Sequence, residues 1–582
     1  MFGRGWEKSQ LEAMNRSQSH RGPDADGMWF SPDGLAALGH RRLSIIDLSD
    51  AGRQPMADAS GRYWITFNGE IYNYLELRSE LEDGYVFRTR TDTEVLLAAY
   101  AKWGERCLNR LIGMFAFAIW DDREKTLFAA RDRFGVKPLY LAEPQPGMLW
   151  LASEIKALHA AGVQREANPG IWATYLRDGV YEHTTETFWS HVRQVPPGGC
   201  VSWAPNGGAR IRVWYDAAES VNAAGPDERD EATVSGELLE LLEESVRLRF
   251  RADVPVGVCL SGGLDSSLLL GLVHRNEGAD SQVKTFTFYC GDPAYDETPW
   301  VEQMLAHSRH QANFCLLSAK EIPDLALRVQ SIQDEPFGGF PTLGMAKVHE
   351  RARAEGVTVL LDGNGLDEGW AGYEYYARAE KVDSSTGPVQ GSQSRATLPE
   401  TLVPDFANLA KKFSPPKPFT SALLNLQYRD LRYAKIPRGM RFADRVSMMH
   451  SRELREPFLD HRIIELGLRQ PADRKIREGQ GKWLPRQVAA QILPDGVREA
   501  PKRPVQTPQR EWLRGPLREW ATDCIEAALV GFGGAWFDPS AVRKAWAGYQ
   551  QTGGDNSFFV WQWVNLGLMS KLADGAVTVN RR

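Results

Sequence analysis

Ser261-Gly-Gly-Leu-Asp-Ser-Ser267 has the makings of an anion site. It follows Val254-Pro-Val-Gly-Val-Cys-Leu260, which reads as a short buried strand. It precedes Leu268-Leu-Leu-Gly-Leu-Val-His274, which carries on as an apolar helix. Gly262 and Gly263 let the backbone approach an oxyanion closely. The helix N-terminus adds unpaired N–H groups and a partial positive charge. Ser261, Ser266 and Ser267 contribute hydroxyl donors, Leu260 ends the strand at the same edge, and Asp265 can hold a divalent cation between phosphate oxygens. No Gly-Lys-Ser/Thr closes the loop, so nothing here is built to grip a transferring γ-phosphate.

The loop resembles the pyrophosphate signature of the ATP pyrophosphatases, which release pyrophosphate and leave AMP on the substrate. An isolated Ser-Gly-Gly is more often a turn capping an ordinary helix. The flanking strand and helix, with Asp265 in place, weigh against that reading here. A second acidic group follows the apolar run Val357–Leu361, in Asp362-Gly-Asn-Gly-Leu-Asp-Glu368. Asp265 and Asp367, carried by separate strand ends, can chelate one Mg²⁺ against a pyrophosphate, with Glu368 beside them.

Further on come Glu453-Leu-Arg-Glu-Pro-Phe-Leu-Asp460 and Gly481-Lys482, with Tyr295-Asp-Glu297 between the loop and the acidic turn. This order of motifs resembles the synthetase half of asparagine synthetase B. The resemblance implies that Lys482 stabilises phosphoryl charge during adenylation, as an ammonium aimed at a developing oxyanion can. It places ATP at Leu260–Ser267, Phe288 and Gly363, and the acceptor at Asp362, Asn364 and Arg455. One position departs from the family, whose turn carries an acidic residue where this chain has Asn364. An amide can hydrogen-bond but carries no charge. Adenylation is left intact, and the acceptor is then L-aspartate or a related, bulkier acid.

The N-terminal region resembles the class II glutamine amidotransferase half of the same family. The matching runs are His20–Asp24, Arg42–Asp47, Phe67-Asn-Gly-Glu-Ile-Tyr-Asn73, Thr91-Asp92, Arg131–Tyr140 and Ser153–Lys156. By position Arg42 binds the glutamine carboxylate, while Glu70 and Asp92 hold its amino group. Asn68 and the Gly69 N–H form the oxyanion hole. The family nucleophile is a cysteine directly after the initiator Met, whose own amine is the base. Residue 2 here is Phe, and the first cysteine is Cys107. Two readings stay open. A Cys-Gly-Ile-type strand lies upstream of Met1, or the chain uses free ammonia or another amine. A missing first strand would also expose a sheet edge.

These motifs need elements to carry them. Residues 1–205 hold short β-type runs with interleaved helical periodicity, as in Met114-Phe-Ala-Phe-Ala-Ile-Trp120 and Thr93–Trp103. Residues 206–230 read as a connection, small and polar from Ala217 onward. From 231 to 582 an amphipathic helix (Gly236–Arg249) leads into strands at 254–260, 283–289 and 357–361 separated by helical stretches. Lys381–Thr397 is poor in apolar residues and reads as a loop, and Asn556–Ser570 as a helix docked on its own domain. The expected architecture is therefore an α+β, αββα sandwich of N-terminal-nucleophile type without its first strand. An α/β doubly wound parallel-sheet ATP-pyrophosphatase domain with a helical C-terminal part follows.

Composition sets the remaining bounds. At 582 residues two or more domains are expected, and 43% hydrophobic with 25% charged residues is ordinary for a globular protein. A net charge of −6 gives no reason to expect nucleic acid or an anionic membrane as a partner. Six scattered cysteines suit a reducing cytoplasm, and Met1–Lys8 lacks the apolar core of a signal peptide. The partners implied are ATP with Mg²⁺, a carboxylic acid, glutamine or ammonia, and a second copy in a homodimer. Two rivals are an intramolecular amide cyclase, whose amine comes from the substrate, and a non-catalytic scaffold.

Overall fold

The computed structural model describes residues 1–278, 281–381, 396–500, 507–554 and 556–572. The N-terminal half is built on a six-stranded antiparallel sheet. Its order is Gly208–Val213, Gly199–Ala204, Thr126–Arg131, Gly113–Asp121, Tyr63–Ile71 and Met56–Ala57. Strand periodicity sorts the central strand onto two faces. Phe115, Phe117 and Ile119 pack under the helices Tyr74–Leu81 and Asp92–Trp103, while Ala116, Ala118 and Trp120 meet Leu139, Leu141 and Trp203 on the other side. That second layer contains the three-stranded sheet Trp150–Ala152, Tyr140–Ala142 and Arg193–Gln194, and the hairpin Ala25–Phe30 with Ala37–Arg42.

Two expectations change here. The sheet edge left by a missing first strand is covered, because Phe2 bridges both Leu149 and Ala36 and is 1% exposed. The Met1 amine donates to the Ala37 carbonyl at 2.7 Å. The stretch 206–230 is also more than a connection. Gly208–Val213 is the edge strand of the large sheet, and Ala217–Ala224 is a helix capped by Asp216 that buries Ala217, Ala218 and Val221. Small residues made this helix look like a linker, yet they are what allows its close packing.

The second half is a five-stranded parallel sheet in the order Gln311–Leu316, Lys284–Tyr289, Val256–Cys259, Val359–Leu361 and Glu453–Arg455. Its first strand in sequence lies between the second and the fourth, so the strand order reverses between Val256–Cys259 and Val359–Leu361 while all strands stay parallel. In doubly wound sheets ligands bind at that crevice. Two of these strands escaped the pattern analysis. Gln311–Leu316 alternates buried and exposed residues at a sheet edge, and Glu453–Arg455 is three residues long and mostly charged. The amphipathic helix extends over Glu231–Arg249 with Asp230 as its cap, and Lys381–Thr397 lies largely outside the described residues.

The helix Phe558–Leu572 docks on more than its own domain. One apolar cluster joins Trp561, Val564 and Leu568 with Trp172 and Tyr175 of the N-terminal half, and Gln562 Nε2 donates to the Tyr175 carbonyl at 2.5 Å. The two halves thus share a core. Among the described residues no helix is long and apolar enough to cross a membrane.

Phe117→Ala should cost about 3–5 kcal/mol, the usual cost of deleting a fully buried ring. Urea denaturation followed by tryptophan fluorescence would register it as a lowered midpoint.

Candidate active site

The crevice of the parallel sheet is a cavity of about 760 Å³. Its floor is Leu260–Ser266 at the N-terminus of the helix Leu264–Glu277, and Asp362–Gly365 with Asp367 beyond the neighbouring strand. Within the loop the Ser266 hydroxyl accepts from the Ser261 N–H at 3.1 Å and lies 3.1 Å from the Ser261 hydroxyl. Phe288 lines the cavity from its strand end. Ser267 does not line it. Helical periodicity turns its side chain into the core, where it is 0% exposed.

Lys482 is the centre of this site. Its ammonium lies 2.5 and 2.6 Å from the two Asp265 carboxylate oxygens and 2.5 Å from Asp367 Oδ1. The residue is 3% exposed and sits in the left-handed region (φ 56°) at the cap of the helix Trp483–Ala489. A Cβ on Gly372 would fall 1.9 Å from Asp367 Oδ1 and 2.1 Å from Lys482 Cε, so only glycine leaves room for the pair. Two carboxylates that grip one ammonium at this range can also converge on a metal ion.

Glu368 turns away from this pair. It is buried beside the Tyr373 hydroxyl, which donates to it at 2.7 Å, and burial with the neighbouring Asp367 charge pushes its carboxyl up to about 7. Asp362 and Asn364 line the cavity, the Asn364 amide donating to Asp362 Oδ2 at 3.1 Å and to Glu456 Oε1 at 3.3 Å. Arg455 does not join them. It is fully buried, pairs with Glu453 at 2.8 Å, donates to the Arg249 and Arg251 carbonyls at 2.8 Å, and reaches Glu70 at 3.2 Å. Its strand ends between the two halves, so successive side chains face different cavities.

The N-terminal cavity, about 180 Å³, is lined by Arg42, Asn68, Gly69, Glu70 and Asp92 together with Met1, Ser153 and Glu453. The Arg42 guanidinium is wrapped by the carbonyls of Ser49, Ile46 and Asp47. Asp92 accepts from the Ile71 N–H at 2.9 Å, and burial pushes its carboxyl up to about 7. Glu70 is raised well above its usual range by burial, against the pull of Arg455. Gly69 has φ 148°, and a Cβ there would fall 2.1 Å from the Met114 carbonyl oxygen, so this position admits glycine alone. None of the lining residues is a cysteine. Cys107 is 0% exposed in the core under the large sheet, where burial pushes its thiol up to about 12. It cannot serve as the nucleophile.

These observations can be set beside known proteins. Residues 2–215 match the model of a glutamine amidotransferase domain, and residues 237–572 match that of asparagine synthase. The chain belongs to the asparagine synthase family. It is 30% identical to asparagine synthetase [glutamine-hydrolyzing] 1 of Bacillus subtilis (strain 168), covering 95% of this chain and 92% of that protein. It is 31% identical to a putative asparagine synthetase of Mycobacterium bovis over 90% of this chain and 88% of that one. A protein named amidase chry2 from Gibberella zeae is 28% identical over 90% of this chain and 88% of its own length.

Within this family architecture, three contacts between the halves were not legible from motifs alone. Arg21 of the His20–Asp24 run donates to Asp444 at 2.8 and 2.9 Å and to Glu154 at 2.9 Å, tying an amidotransferase motif to the synthetase half. Glu453 and Arg455 bring the synthetase strand to the N-terminal cavity. The spacing of such residues in the sequence does not say which cavity they face.

Arg455→Ala should destabilise the protein by about 3–5 kcal/mol, because it leaves the Glu70 and Glu453 carboxylates buried without their partner. Denaturant unfolding checks this. Adding Glu70→Gln should recover part of the loss, and an unmoved midpoint in the single variant would refute the pairing.

Proposed function

We propose that this chain adenylates a carboxylic acid, L-aspartate or a related acid, with MgATP and transfers the acyl group to ammonia, yielding an amide, AMP and pyrophosphate. The observation that carries the reading is the convergence of Lys482 on Asp265 and Asp367 beside the Ser261–Ser266 loop. The loop offers backbone N–H groups and hydroxyls to the β- and γ-phosphates, with the adenine toward Phe288. Asp265 and Asp367 would hold a magnesium ion, which would supply positive charge against the departing pyrophosphate. Lys482, held between them, is within reach of the same phosphates and supplies a second positive charge.

The acceptor carboxylate attacks the α-phosphorus, and the bond to the β-phosphate bridging oxygen breaks. Enclosure of the mixed anhydride keeps water from hydrolysing it. The nitrogen is ammonia, drawn from glutamine or free in solution, and no side chain lining the N-terminal pocket is a thiol. Arg42, Glu70 and Asp92 remain suited to holding an amino acid there, so the pocket keeps a binding role.

Asp265→Ala and Lys482→Ala should each lower ATP–pyrophosphate exchange at least 100-fold, the scale of lost transition-state electrostatics. Labelled ATP should return as AMP. Recovery of ADP would overturn the reading. The purified chain should release no glutamate from glutamine by the family mechanism, whereas release that Asn68→Ala abolishes would refute that expectation.

A further inference from the structure

A second lysine of the synthetase half is buried, and it is not held by a carboxylate. Lys475 is 0% exposed, and its Nζ donates to Gln427 Oε1 at 3.0 Å and to the Leu468 carbonyl at 3.2 Å. Burial lowers the amine to about 7. Two neutral acceptors suit an uncharged amine, which has two N–H groups to give. Gln427, itself 0% exposed on the helix Ala422–Arg429, is oriented by this contact. Its oxygen is taken by Lys475, so its Nε2 donates to the Glu368 and Gly369 carbonyls, at 2.7 and 2.8 Å. Those carbonyls close the helical turn Leu366–Gly369, which carries Asp367.

The main chain of Lys475 meets the turn of Lys482. Its carbonyl accepts from the Trp483 N–H at 2.9 Å, and the Lys482 N–H donates to the Trp370 carbonyl at 3.1 Å. The short hairpin of Ile476–Arg477 with Gln480–Gly481 runs between the two lysines. Lys482 holds φ 56°, a left-handed backbone that is strained for any residue with a side chain. Such a conformation persists only where its surroundings fix it, and these main-chain bonds at residues 482 and 483 do so.

We propose that Lys475 is the positioning residue that keeps the Lys482 ammonium in register with Asp367 during adenylation. The inference rests on the adenylation reading above. One residue reaches both parts of the pair. Its side chain, through Gln427, ties the turn of Asp367, and its carbonyl ties the turn of Lys482. Lys475 touches none of the residues that floor the ATP cavity and exchanges no proton with substrate. Its effect runs through the Gln427 amide and the backbone. A methionine at 475 would leave that amide free to turn over, because its two ends differ only in offering an acceptor or donors. The Glu368 and Gly369 carbonyls would then lose their donor, and the turn of Asp367 would drift from Lys482. An ammonium aimed at phosphate oxygens tolerates little drift, since a misplacement of about 1 Å can cost about 100-fold in rate.

The test follows ATP–pyrophosphate exchange with L-aspartate in the intact chain and in its Lys475→Met and Gln427→Met variants. Each substitution should lower kcat about 10- to 100-fold. The KM for ATP should stay within about twofold, as when an interaction acts in the transition state alone. The double variant should lose no more than the worse single one, because both residues act along one path. Unchanged kcat, a loss confined to KM, or losses that multiply would each overturn the proposal. Lysines labelled with ¹³C at Cε give a second readout that needs no acceptor. The Lys482 resonance, identified by its absence from Lys482→Met protein, should shift in both variants while lysines of the N-terminal half keep theirs. An unmoved Lys482 resonance would also overturn the assignment. Should Lys475→Met fail to fold, Gln427→Met carries both readouts with the lysine still in place. Absence of exchange in the unsubstituted chain would sink the adenylation reading instead, and the resonance then decides the positioning role alone.

Discussion

The synthetase half depends on one buried ammonium. Lys482 gathers Asp265 and Asp367 within 2.6 Å, and these three residues come from a helix start, a turn after a different strand, and a loop more than a hundred residues further on. Two carboxylates this close would repel one another without a cation between them. Removing charges from water is costly, so the cluster is stable only because each partner is satisfied by the others. In the proposed reaction Asp265 and Asp367 would hold a magnesium ion, and Lys482 would then be free to face the phosphates.

The sheet makes this convergence possible. Parallel strands put their carboxyl ends on one edge, and the reversal of order between Val256–Cys259 and Val359–Leu361 opens the crevice in which the loop and the acidic turn meet. The N-terminal half applies a different device. Antiparallel strands bury one face under helices and the other against a second layer. The tight Gly69 approach to Met114 then places Asn68 and Gly69 near the end of a nine-residue strand. The two halves are fastened by a shared apolar core around Trp172 and Trp561 and by buried ion pairs from Arg21 and Arg455. Relative motion between them would have to separate these buried ion pairs, which is costly.

Successive residues at the end of one strand have different neighbours. Glu453 lines the N-terminal cavity, Arg455 pairs with Glu70, and Glu456 accepts from Asn364 of the synthetase turn. The Asn364 amide is thereby held between two carboxyl groups, those of Asp362 and Glu456.

Much of this was present in the linear chain. Strand, Gly-rich turn and helix around Ser261–Ser267, the acidic turn at 362–368 and the alternation along Met114–Trp120 are local patterns, and local patterns are set by backbone sterics and periodicity. What the folded chain alone decided is which distant groups share a cavity. Arg455 faces glutamine-side Glu70, Ser267 points into the core, Ala217–Ala224 packs as a helix, and Phe2 seals an edge that would otherwise be open. Each of these turns on a contact between residues far apart in the chain. Side-chain direction at the end of a strand is fixed by which neighbour it pairs with, and pairing over such separations leaves no periodic trace in the residues themselves.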